Sequence, residues 1–300
     1  MVHGVPAIAV PLVDRRLALE IEPADTPSGE EIAIETDAPL DGRAGRIARG
    51  MLAQVRERFA PASGPVTARL RSQIPIGSGL GSSAALAVAL VRAYAPALEP
   101  LALARAANDL ERLAHGTPSG IDAHTIALER PLRFAPGRAF EPLRVVRPLA
   151  LAVAVLPRER STAEQVAAVG ALRASDPARL DRFLAESAAV LEEAARWFAA
   201  GGDEAPHTGG EAHERALGAL FDRAHEALRA VGVSCPAQDA LCRRMREAGA
   251  LGAKLSGAGA GGATLALLPA HAPPAWGERV CAAAREAGAR CAFVTRLGDA

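Results

Sequence analysis

Apolar and polar positions alternate in several short stretches near the N-terminus, and a helical period takes over through most of the remaining chain. Val5 to Leu12 is an apolar run broken by Pro6 and Pro11, which predicts a strand with a turn after it. Leu17–Glu22 and Glu31–Glu35 alternate and predict a pair of strands, with Asp25–Gly29 as the turn between them. Arg46 to Phe59 sets Ile47, Met51, Leu52, Val55 and Phe59 on one helical face. Val66–Ser72 alternates again, as a half-buried strand does. Leu86–Tyr94, rich in Ala, Leu and Val, reads as a buried helix. Leu101–Leu113 predicts a second helix, which Gly116 can close at its C-terminus.

The second half begins with strands predicted at Arg144–Val146 and Leu149–Leu156. Helices come next at Thr162–Ala174, Pro177–Phe198, Ala212–Val231, Pro236–Ala248 and Pro274–Ala287. Gly201–Gly210 has the composition of a surface loop. Gly252–Leu268 holds a glycine cluster and a strand, and Cys291–Arg296 predicts the last strand. Strands and helices mixed in both halves indicate an α+β or α/β protein. The expected division is into residues 1–148 and 149–300.

Composition narrows the field. Half of the 300 residues are hydrophobic, enough for a sizeable core, but the aromatics amount to seven Phe, two Trp and one Tyr. The core must therefore be mostly Leu, Val and Ala, and a stacking platform for single-stranded nucleic acid is disfavoured. Lys+Arg and Asp+Glu are both 34, so no global charge draws the chain to nucleic acid or to an acidic membrane. The four cysteines, Cys235, Cys242, Cys281 and Cys291, have no CxxC spacing, which disfavours a zinc site or a redox dithiol. Neither a signal peptide nor an apolar run of membrane-spanning length is visible. A cytoplasmic setting is expected.

Three stretches carry candidate chemistry. The first is Ile74–Ala85, a glycine loop between the strand at Val66–Ser72 and the helix after it. Gly77, Gly79 and Gly81 can take positive φ, and a helix start offers free N–H groups and a positive dipole end to a polyphosphate. Ser82 and Ser83 either cap the helix or place a hydroxyl on a metal ion. The loop lacks the Gly-Lys-Ser/Thr ending of a Walker loop, so it is a phosphate binder of another kind or a tight turn.

The second stretch is His115–Asp122. Ser119 followed by Asp122 fits an acidic capping box, so Asp122 is either a helix cap or a carboxylate placed to take or orient a hydroxyl proton. Glu111, near the end of the preceding helix, is either a solvated acid or a magnesium ligand beside the Ser83 hydroxyl. The third stretch is Lys254–Gly262, which either makes tight turns or grips a polyphosphate from the side opposite the first loop.

Together the three stretches resemble the GHMP small-molecule kinases. Pro75–Ala85 matches that family's Pro-x-x-x-Gly-Leu-Gly-Ser-Ser-Ala-Ala motif residue for residue, and Lys254–Gly262 is similar to its third motif. Gly116–Asp122, Ser161–Val166 and Gly232-Val233-Ser234 before the helix at Pro236 resemble the mevalonate kinase branch. The resemblance runs from about Val2 to Leu268. Val2–Leu12 is similar to the tail of the first motif. The strand, the phosphate-reaching lysine and the Gly-Glu-His turn that normally precede that tail are not in the sequence, and Lys254 is its only lysine.

The resemblance implies a two-domain α+β fold, the second domain ferredoxin-like, with the site between the two. It implies ATP and Mg²⁺ as cofactors and ATP-dependent phosphorylation of mevalonate to 5-phosphomevalonate. Asp122 would be the catalytic base. Ser72, Gly77, Ser78, Gly79, Leu80, Gly81, Ser82 and Ser83 would bind ATP, and Ser83 and Glu111 would hold the metal. Lys254, Ser256, Gly257, Ala258 and Gly259 would form the closing loop. The expected partner is the small-molecule substrate alone, without nucleic acid or membrane, and a homodimer is left open. Also open are a kinase for another small alcohol, such as phosphomevalonate or homoserine, and a catalytically impaired nucleotide-binding homologue lacking the first-motif lysine.

Overall fold

The structure is a computed structural model that describes residues 5–24, 32–37, 40, 42–62, 64–135, 137–199 and 210–298. The turn expected at Asp25–Gly29, most of the loop at Gly201–Gly210 and residues Val2–Gly4 lie outside the described residues.

The N-terminal half contains strands β1 (Ala7–Ala9), β2 (Leu17–Pro23), β3 (Ile32–Thr36), β4 (Val66–Ser72), β5 (Leu132–Phe134) and β6 (Glu141–Pro142). Its helices are α1 (Gly42–Phe59), α2 (Ser82–Tyr94), α3 (Pro100–His115) and α4 (Ile121–Leu128). β2 and β3 do not pair with each other as expected. β4 lies between them, antiparallel to β2 and parallel to β3. The charge pattern is compatible with the insertion. Both flanking strands carry glutamates on their polar face, and Arg69 of β4 bonds to Glu22 and Glu35 at 2.7 and 2.8 Å. Set side by side, β2 and β3 would have placed like charges together, which destabilises a cross-strand pair.

Val66, Ala68 and Leu70 of β4 point to the opposite face, where they meet Met51, Leu52 and Val55 of α1 and the apolar side of α2. β1, β5 and β6 form a separate small sheet. The strand expected over Val5–Leu12 is limited to three residues, because the flanking prolines Pro6 and Pro11 have no N–H for a ladder. Arg144–Val146, expected as a strand, is irregular.

The C-terminal half contains β7 (Leu149–Leu156), β8 (Gly252–Leu255), β9 (Gly262–Leu268) and β10 (Cys291–Leu297). Its helices are α5 (Thr162–Ser175), α6 (Pro177–Ala199), α7 (Gly210–Ala230), α8 (Pro236–Glu247) and α9 (Pro274–Glu286). The antiparallel order β10-β7-β9-β8 is the ferredoxin-like arrangement. Every residue of β7 is buried, since helices cover both faces. Its alternation is one of size. Leu149, Leu151 and Val153 face α6 and α7, whereas Ala150, Ala152 and Ala154 let α8 and α9 approach closely. Leu80 of the first glycine loop packs into the α6–α7 side of this core, which anchors the loop to the C-terminal sheet.

Candidate active site

β4 delivers the chain into the first glycine loop. Ser72 Oγ bonds with both the N–H and the carbonyl of Ile74 at 3.1 Å, so its hydroxyl shapes the entry to the loop. Ser78 is buried and turned inward, donating to Pro75 O at 2.6 Å and accepting from Leu80 N–H at 3.3 Å. Only its backbone is left to face a ligand. Gly77, Gly79 and Gly81 all lie in the left-handed region, with φ of 70°, 85° and 75°. α2 starts at Ser82, four residues earlier than the apolar run suggests, with Gly81 as its cap. Neither Ser82 nor Ser83 caps it. The first turn of α2 therefore keeps its N–H groups open to an anion, and the Ser83 hydroxyl is free for another partner.

That partner stands at the end of α3. Glu111 and His115 are one helical turn apart and project from the same face. Ser83 Oγ is 3.3 Å from His115 Nε2, which lies 3.9 Å from Glu111 Oε2. Glu111 is only 3% exposed, and its Oε1 has no hydrogen-bond partner. Burial pushes its pKa up to about 7, opposed by the Ser83 hydrogen bond and reinforced by the negative charge of Asp122. Glu111 is therefore not a solvated acid. Burial also lowers the basicity of His115, opposed by the negative charge of Asp122.

Asp122 occupies the first turn of α4. Gly120, at φ 81°, caps that helix with no side-chain bond, so Asp122 is not a capping carboxylate. The residue is exposed to solvent, yet protein crowds its carboxylate. Desolvation raises its pKa above the ordinary Asp value, and the nearby His115 opposes the rise. A Cβ built on Gly81 would stand 3.9 Å from Asp122 Cγ, so the carboxylate lies directly against the glycine loop.

The third stretch closes on the first from the other side. A Cβ on Gly262 would lie 3.0 Å from Ser78 O, and one on Gly257 would lie 4.0 Å from Gly79 O. Ser256, Gly257, Ala258 and Gly259 thus form the facing loop. Lys254 is different. Its Nζ donates to Leu255 O at 2.8 Å, and burial lowers its pKa to about 8 against the opposing effect of Cys242 of α8. It does not present a cation to the first loop.

Two features that the sequence does not announce complete the site. Arg158, just after β7, puts its guanidinium between the loops. Its Nη2 would be 2.5 Å from a Cβ on Gly79, and its Nε 3.1 Å from one on Gly262. Nη1 bonds to Thr162 Oγ1 at 3.1 Å, whereas Nε is buried without a partner. Gln238, fully buried on α8, donates to Gly261 O and Ala263 O and accepts from Gly261 N–H, each at 3.3 Å, and so fixes the back of the second loop. Behind it His225 Nδ1 accepts the Leu255 N–H at 3.4 Å, while Nε2 bonds to Asp239 Oδ1 at 3.1 Å. The only sequence signal for Arg158 is its place three residues before the Ser161–Val166 stretch. Gln238 and His225 have none.

Residues 46–130 match the GHMP kinases N terminal domain, and residues 211–290 match the GHMP kinases C terminal domain. The chain is 34% identical over 290 residues to the mevalonate kinase of Thermococcus sibiricus, covering 90% of this chain and 84% of that protein. It is 31% identical to the mevalonate kinase of Pyrococcus furiosus with the same coverage. The fold superposes on L. major mevalonate kinase in complex with R-mevalonate with a TM-score of 0.81 at 22% identity, covering 98% of this chain and 90% of that one. For Staphylococcus aureus mevalonate kinase the TM-score is 0.71 at 26% identity, with 99% and 93% covered.

Proposed function

The chain belongs to the GHMP kinase family, and we propose that within it the protein is a mevalonate kinase, transferring the γ-phosphoryl group of ATP to mevalonate to give 5-phosphomevalonate. The observation that carries the reading is the meeting of Asp122, the first glycine loop and the Gly257–Gly262 loop in one cleft. The acceptor follows from the relatives, which are mevalonate kinases along most of their length. We divide the chain at residues 148 and 149, with the site between the halves.

Phosphoryl transfer needs placement and charge neutralisation more than covalent chemistry. The left-handed glycines and the uncapped start of α2 present backbone N–H groups to the phosphates. Gly257–Gly262 covers them from the C-terminal half. Arg158 brings a positive charge to the same gap, where Lys254 brings none. Asp122 takes or orients the proton of the attacking hydroxyl, and its raised pKa makes it a stronger base than an ordinary aspartate.

The residues at the α2–α3 corner fit Mg²⁺. Ser83 offers a hydroxyl not engaged in capping, and Glu111 offers a buried carboxylate with an orphaned oxygen and a pKa that a cation would bring down. When bound, the ion supplies charge neutralisation to the phosphates. No helix among the described residues is long and apolar enough to cross a membrane. The four cysteines are free thiols, which agrees with a reducing cytoplasm.

The test is phosphoryl transfer from ATP to mevalonate, phosphomevalonate and homoserine in parallel, with Asp122→Asn as the control. Mevalonate is expected to be the preferred acceptor. Asp122→Asn is expected to lower turnover by about a hundredfold or more with the fold retained, because Asp122 makes no capping bond. Preference for another acceptor refutes the substrate assignment, and near-normal turnover of the variant refutes the role of Asp122.

A further inference from the structure

His115 faces both groups assigned to the cation site. Its Nε2 lies 3.3 Å from Ser83 Oγ and 3.9 Å from Glu111 Oε2. Donors about 2.1 Å from one ion lie about 3 Å apart when adjacent and about 4 Å apart when opposite. The two separations from Nε2 match these values. Glu111 Oε1, buried and without a partner, shows that hydrogen bonds within the protein leave the cluster incomplete.

His115 adds a nitrogen donor to the two oxygen donors that suit magnesium. Mg²⁺ favours oxygen, whereas an imidazole nitrogen suits the later divalent metals. Among the described residues no three His, Cys, Asp or Glu side chains converge on one point, so the set depends on the serine hydroxyl as its third member.

We propose that His115 is a ligand of the divalent cation held by Ser83 and Glu111, and that it makes the site bind Mn²⁺ and Co²⁺ more tightly than Mg²⁺ before any nucleotide arrives. This rests on the reading of Ser83 and Glu111 as the cation site.

The experiment uses the full chain stripped of metal and free of nucleotide. Mn²⁺ binding is followed by loss of the free-ion paramagnetic resonance signal and Co²⁺ binding by visible absorption, in wild type, His115→Gln and Glu111→Gln. Electron spin echo modulation of Mn²⁺ bound to wild type reads a coordinated imidazole nitrogen directly and requires no variant to fold. The expected results are nitrogen modulation in wild type and a loss of about tenfold or more in Mn²⁺ and Co²⁺ affinity in His115→Gln. Absence of nitrogen modulation, or equal Mn²⁺ affinity of wild type and His115→Gln while Glu111→Gln binds poorly, overturns the role of His115 and leaves the oxygen site standing. Equal affinity of all three proteins overturns the cation site itself.

Discussion

Replacing Glu111 by Gln in the metal-free protein should stabilise it, and by an amount that depends on pH. The carboxyl is 3% exposed, with a pKa of about 7 in the folded chain against 4.5 when solvated. That difference corresponds to about 3 kcal/mol. The folded state holds the Glu111 proton more tightly than the unfolded state does. Between pH 4.5 and about 7 the folded state therefore binds more protons, and stability falls as pH rises. Below the unfolded pKa the burden vanishes. Above the folded pKa it is present in full, about 3 kcal/mol at pH 8 against about 1 kcal/mol at pH 5. Gln removes the charge, but its amide nitrogen costs about 1 kcal/mol if it finds no acceptor. The net gain at pH 8 is then about 2 kcal/mol, or about 4–8 °C in Tm, and close to zero at pH 5. The assay is thermal unfolding of both proteins with a chelator at the two pH values. A gain of equal size at both, or a loss at pH 8, refutes the argument that a buried, ionised Glu111 burdens the empty site.

Arg158→Ala should lower turnover on mevalonate by about 10²-fold, the usual effect of losing one preorganised charge at a phosphoryl site. Arg158→Lys should recover only part of it, and steady-state kinetics of the two variants checks both. Gln238→Leu leaves the Gly261 N–H and carbonyl without their buried partner, at about 1–3 kcal/mol for each group left unsatisfied. Its Tm should fall by several degrees and its KM for ATP should rise more than its KM for mevalonate; unchanged values for both would remove Gln238 from the support of the second loop.

The parts legible in the sequence depend on neighbours in the chain. Alternation marked β4, helical spacing marked α1, and the glycines at positions 77, 79 and 81 announced a turn only residues free to take positive φ can make. The three motifs and the family came from the same local reading. Local spacing was not enough at Ser119–Asp122, where the pattern of a capping box is present but the cap falls one residue after Ser119, at Gly120, and leaves Asp122 free. It was not enough for β2 and β3 either, which β4 separates, with its Arg69 paired to a glutamate on each.

Tertiary structure alone decided which residues meet. Arg158 reaches Gly79, Gln238 holds Gly261, and His225 holds Leu255 across long stretches of chain, because β7, β8 and β9 lie in one sheet with α7 and α8 on opposite faces. An arginine, a glutamine and a histidine within helices and loops look like any others along the chain. Burial gives them their roles, since a polar group taken out of water must find a partner in the fold or meet one in a ligand. Glu111 shows the same division. The sequence places it one turn before His115, but only the packing of α2 against α3 turns an ordinary helix acid into a buried carboxylate that still has an oxygen to offer.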